Sequence, residues 1–158
     1  MTPPLLRIPD MFRQDLTDSC LFLPVPLRPT DISPPPYSFL CHRKAFSTEE
    51  GFVIPANKRA EAFREILASY GFNEQETADF IEYWADYLKD GTDYVMYPML
   101  TEGVDNAMPL TFSVKPDSIY RIWFGFAEYS GDEIMPPEIT PIVRKGFTVV
   151  EWGGAVLD

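Results

Sequence analysis

One histidine, His42, stands in 158 residues, so Ser–His catalysis and histidine-rich metal sites have little to work with. The two cysteines, Cys20 and Cys41, are too few for a disulfide scaffold or a zinc cage. No apolar run approaches the ~20 residues that a membrane helix needs. The N-terminus lacks the basic-then-apolar order of a signal peptide. A soluble, cytoplasmic protein is therefore expected. Bases are short too: 13 Lys and Arg face 24 Asp and Glu, a formal charge of -11. Residues 57–158 hold 18 of those acids and 8 of the bases, so nearly all of the excess lies there. Such a surface repels phosphate backbones and anionic lipid, which sets aside nucleic acid and membrane as partners. It keeps a solvated surface soluble, and it leaves a basic protein or a small cationic ligand as a partner. Nothing in the sequence asks for a cofactor or fixes an oligomeric state.

Apolar residues at 46% and aromatics at 15% are ample for the core of one ordinary domain. Ten of the 16 prolines fall in residues 1–55. Proline fixes φ and removes an amide donor, so long helices and central strands are excluded there. The expectation is an extended proline-rich segment over residues 1–36 and a single α+β domain over 37–158. Short strands are expected at 21–27 and 37–42.

Past Asn57 the pattern turns helical. Asn57 is placed to cap a first helix whose apolar stripe is Ala60, Phe63, Leu67 and Tyr70. Gly71 suits its left-handed stop. Asn73 and Glu76 have the spacing of a capping box that opens a second helix. That helix is expected to run to about Lys89, with Thr77, Ile81, Trp84 and Leu88 inward and Phe80, Tyr83 and Tyr87 as an aromatic flank. Strands are expected at 94–99, 110–114 and 118–127, with the last two paired as a hairpin through the Lys115-Pro116-Asp117 turn. A long loop follows, then a terminal strand in residues 146–158 that is expected to bury Phe147, Val149 or Val150, and Trp152. Helices first and strands after them predict a helical hairpin packed on an antiparallel sheet of about four strands.

Three motifs stand in order along the chain: YGFNEQETADFIEYW at 70–84, KPDSIYR at 115–121 and GFTVVEWGG at 146–154. Together they resemble a family of uncharacterised bacterial and fungal proteins whose members read LGLNEKE…DFIxYW, PxPDxxxR and GFxVxEWGG in the same sequence. The resemblance covers residues 37–158 and implies the domain boundaries but no chemistry, because no activity is established for that family. Members usually carry an upstream β-rich part, with a YLFWE motif where this chain has YSFLCH at 37–42. That part looks absent here or replaced by the proline-rich lead. Many bacterial members look exported, and this chain, without a leader, departs from them.

Two charges inside apolar strands, Arg121 and Glu151, are the leading candidates for a site. A buried charge needs a partner, and a cross-strand Arg–carboxylate pair satisfies both. The pair is read either as a structural lock on the sheet or as a pocket in which Arg121 holds an anionic ligand. Asp117 is read as a turn-former. On the second helix Asp79, Glu82 and Asp86 share one side, as a solvated face or a divalent site would need. Cys41 and His42 are adjacent and point to opposite faces of a strand, so they make no dyad. Cys20 with His42 has no flanking signature. The SPPPY run at 33–37 is read as packing rather than as a partner motif. Trp84, Trp123 and Trp152 are either core or part of an aromatic ligand platform. Two functions follow. The first is a non-enzymatic binding or interaction module acting through an aromatic, acidic surface. The alternative is a small enzyme using the Glu151 and Glu82 carboxylates, with Arg121 holding an anionic substrate.

Overall fold

A computed structural model describes residues 45–157 of the chain. The proline-rich lead, the strands expected at 21–27 and 37–42, and the boundary at residue 36 lie outside those residues. A single 3-10 turn, Ala56–Lys58, leads into helix α1, Arg59–Ser69. Asn57 sits inside that turn instead of capping the helix, and the Ala56 amide donates to the Asp93 carboxylate at 2.7 Å. Three residues of the expected stripe, Phe63, Leu67 and Tyr70, are fully buried, whereas Ala60 is only partly buried. Gly71, at φ +83, ends the helix in the left-handed region.

Helix α2, Glu74–Tyr87, opens with the expected capping box. Asn73 Oδ1 accepts from the Glu76 amide, and Glu76 Oε2 accepts from the Asn73 amide, each at 2.9 Å. Its buried stripe is Phe80 and Trp84, continued by Leu88 just past the helix. Phe80 thus takes the place expected for Thr77, because a large ring fills the space over the sheet that a threonine leaves open.

Four strands form one mixed sheet in spatial order β1 (Phe52–Ile54), β2 (Tyr94–Leu100), β3 (Ser118–Glu128) and β4 (Thr148–Val156). The first two pairings are antiparallel, as expected, but β4 runs parallel to β3. Parallel neighbours need a crossover, and here the irregular connection 129–147 supplies it without a helix. It passes the edge of β1, where the Gly51 amide donates to Met135 O at 2.9 Å. It then lies against the α1–α2 turn, where the Ile142 amide donates to Tyr70 O at 2.8 Å.

The strand expected at 110–114 does not form. Both edges of β3 are taken, by β2 and β4, so no hairpin partner position is open, and Val114 is 67% exposed. Between β2 and β3 lies instead a short helix, α3, Thr101–Ala107. Its sequence, TEGVDNA, is poor in helix formers, and tertiary contacts hold it. Thr101 Oγ1 accepts from the Arg121 amide at 2.9 Å and donates to Arg121 O at 3.1 Å, while Val104 is fully buried.

Strand alternation divides the core. Ile122, Phe124 and Phe126 of β3 meet α1 and α2 in the larger cluster, with ring contacts such as Phe80–Phe124 at 5.5 Å and Trp84–Phe126 at 4.5 Å. Trp123 and Ala155 lie on the other side with Phe46, Met99 and Val104. Gly154 lets α2 approach the sheet: a Cβ there would stand 2.5 Å from Phe124 O and 2.6 Å from the Trp84 ring.

Candidate functional site

Arg121 and Glu151 are direct partners in the β3–β4 register. Their side chains meet on the α3 side of the sheet, where Arg121 Nε donates to Glu151 Oε2 at 2.7 Å. The second carboxylate oxygen accepts from Trp123 Nε1 at 2.9 Å. Arg121 Nη1 donates to Asp105 Oδ1 and to Met108 O, both at 2.6 Å. Arg121 is 1% exposed and Glu151 7%. Burial alone lowers the guanidinium pKa, but the hydrogen bonds to Glu151 and Asp105 outweigh it and the pKa rises. Arg121 is thus held as a cation, and both oxygens of Glu151 already have donors. A carboxylate so committed is placed to fix strands, not to take a proton from a substrate.

Two of the three motifs, at 115–121 and 146–154, meet in this region, while the one at 70–84 forms the α1–α2 turn and α2 on the opposite side of the sheet. Asp117 Oδ2 accepts from the Phe147 amide at 2.7 Å, and Phe147 O accepts from the Asp117 amide at 2.8 Å. Gly146, at φ +54, makes the bend, and a Cβ there would collide with Asp117. Asp117 therefore shapes the turn, and Arg121 and Glu151 pair four residues further along the two strands.

The other candidates do not join this cluster. Glu82 is exposed on α2, whose buried residues meet the opposite side of the sheet from Arg121 and Glu151. Trp84 is buried there, and Trp152 packs on Phe80 at 5.2 Å. Of the three tryptophans, Trp123 alone hydrogen-bonds Glu151. No group of three or more His, Cys, Asp or Glu side chains among the described residues is arranged to hold a metal ion. No helix among them is long and apolar enough to cross a membrane. An open groove of about 270 Å³ between β1, α1 and the connection is lined by none of the candidates.

The outer face of α2 is the second candidate. Tyr83 and Tyr87 stack with centroids 5.5 Å apart at 16°, and both stand edge-on to Trp84. Such close stacking leaves no slot for a cation between the rings; what is presented is a platform. Asp79, Glu82 and Asp86 are exposed around it. Glu76 is held by Arg144 at 2.6 Å, and Asp79 accepts from Gln75 at 2.6 Å. The helix itself carries five carboxylates and no Lys or Arg.

Arg59 is a buried charge that sequence reasoning passed over. Its Nη1 donates to Ala85 O and Leu88 O, both at 3.0 Å. Its Nη2 donates to Lys89 O at 2.7 Å and Thr92 O at 3.1 Å. It also lies 5.7 Å from the centroid of the Tyr94 ring. The signal was indirect: α2 has no base in its last turn, so something else must meet its final carbonyls.

Burial pushes the hydroxyls of Tyr70, Tyr83, Tyr97 and Tyr120 up. Tyr120 is raised to about 12, and Tyr83 to about 12 by burial and then by Tyr87 beside it; Tyr70 rises as well. A raised folded-state pKa contributes stability that is complete below the unfolded value near ~10 and is lost as pH climbs through the folded value. Far-ultraviolet ellipticity should therefore hold up to about pH 10 and fall toward pH 12, together with the rise of the phenolate absorbance. Ionisation of all tyrosines near pH ~10 with the fold intact would contradict this burial.

Compared with models of protein families, with curated proteins and with solved structures, the chain matches none.

Proposed function

We propose that the protein is a non-enzymatic binding module that takes a basic segment of a partner protein on the outer face of α2. The observation that carries this reading is the Tyr83–Tyr87 stack with Tyr87 38% exposed, set among Asp79, Glu82 and Asp86 on a helix without a base. A guanidinium or ammonium gains there from ring faces and carboxylates together. The enzymatic alternative needs Glu82 beside Arg121 and Glu151, and Glu82 lies across the sheet from them.

The test is thermal unfolding of the full chain with metals, sugars, nucleotides and an arginine-rich peptide. The peptide at one hundred times its Kd should stabilise the protein by about 2.7 kcal/mol. Its binding should weaken with added salt and fall roughly tenfold in Glu82→Lys/Asp86→Lys, since exposed charge pairs contribute up to ~1 kcal/mol each. Stabilisation by a sugar or nucleotide with none by the peptide, or binding indifferent to that double substitution, rejects the assignment.

A further inference from the structure

On the other side of the sheet the covering by α3 stops short. Ile119 and Val149 are register partners across β3 and β4, and Phe147 leads into β4 with its carbonyl bonded to the Asp117 and Ser118 amides. Ile119 and Phe147 are each 40% exposed. β4 is also the last strand of the sheet, and no strand among the described residues pairs with its outer edge. Edge strands are commonly guarded by proline, lysine or an inward charge that spoils further pairing. β4 reads TVVEWGGAV, with no proline or lysine, and its one charge is already neutralised by Arg121. The half that begins the strand, Thr148 to Val150, is only partly buried, whereas Gly153, Gly154 and Ala155 are buried. The open stretch is therefore the N-terminal half.

The charge beside it has the opposite sign from the rest of the surface. Lys115 and Lys145 are both exposed, and each precedes by two residues a member of the doubly hydrogen-bonded Asp117–Phe147 junction. Neither ammonium has an ion-pair partner among the described residues, while neighbouring Arg144 is committed to Glu76. Among the described residues, an edge without a strand partner, exposed apolar side chains and two cations without an ion-pair partner form a single surface at one end of the sheet. We infer that the N-terminal half of β4 receives an extended, acidic segment of a partner protein as a fifth strand. Its backbone continues the ladder, its apolar side chains lie on Ile119, Phe147 and Val149, and its carboxylates meet Lys115 and Lys145. This surface is separate from α2 and selects the opposite charge, so its fate is independent of the function proposed above.

The experiment uses the full chain and a fluorescein-labelled peptide of alternating valine and glutamate, followed by fluorescence anisotropy. Its counterparts are a valine–lysine peptide and a valine–glutamate peptide with alternate amides N-methylated. Saturable binding is expected for the valine–glutamate peptide alone. Lys115→Glu/Lys145→Glu, two exposed changes that should leave the unfolding midpoint in place, should weaken it about tenfold. Absence of binding, equal binding of the lysine peptide, or indifference to the double substitution overturns the inference. Full binding of the N-methylated peptide overturns it as well, because charge attraction without strand pairing would then account for the contact.

Discussion

Glu151→Gln should lower the free energy of unfolding by about 3 kcal/mol, the lower end of what breaking a buried ion pair costs. Glutamine keeps the shape and one acceptor, so either Arg121 Nε or Trp123 Nε1 keeps its bond while the other faces an amide NH2. Asp105 and Met108 O still hold Nη1, so the guanidinium is not wholly stranded. Removing the cation as well should restore part of the loss: in Arg121→Met/Glu151→Leu an apolar pair replaces the ions, and such replacements are often neutral. Urea titrations of Arg121→Met, Glu151→Leu and the double substitution close this cycle, with Glu151→Gln measured beside them. A loss below roughly 0.5 kcal/mol in Glu151→Gln, within the range of an ordinary surface change, would show that the pair is not a lock on the sheet.

Arg59→Ala is expected to cost a similar amount, about 3 to 5 kcal/mol, for a different reason. No carboxylate among the described residues pairs with this guanidinium. Its charge is met by four carbonyls at the end of α2 and just beyond it, and its plane lies near Tyr94. Without it those carbonyls must find water at a site where Arg59 itself is only 7% exposed. Arg59→Lys keeps the charge but not the fork, so it should recover only a minor part. Equilibrium unfolding and amide exchange at residues 84–92 measure the effect. Unchanged protection there in Arg59→Ala would remove the capping role.

Patterned features were legible in the sequence, and features that depend on distant chain were not. The Asn73–Glu76 box, the Phe63–Leu67–Tyr70 stripe and the alternation through β3 are local, and each appears as read. The Arg121–Glu151 contact was legible because a charge in an apolar strand has few ways to be satisfied. The strand expected at 110–114 had the right alternation but no free edge to join. α3 was missed because Thr101 and Val104 are ordinary residues until Arg121 and Trp123 lie beneath them. The direction of β4 depends on where the connection 129–147 travels, and no local pattern in that segment encodes its path. Arg59 resembled any exposed helix-start base, since its acceptors lie 26 to 33 residues away.

The parallel placement of β4 has a consequence for how the chain acquires its fold. The bond between Arg121 and Glu151 spans 30 residues, and Trp84, which meets Phe126 of β3, gains its contact with Gly154 only when β4 arrives. Contacts so far apart in sequence carry a loop-closure penalty before they return any stability, and they slow folding. A nascent chain that has emerged only as far as β3 holds α1 and α2 beside a sheet with one apolar flank still bare. During that interval the chain is most open to wrong strand partners, and the pairing of β4 ends that exposure to aggregation.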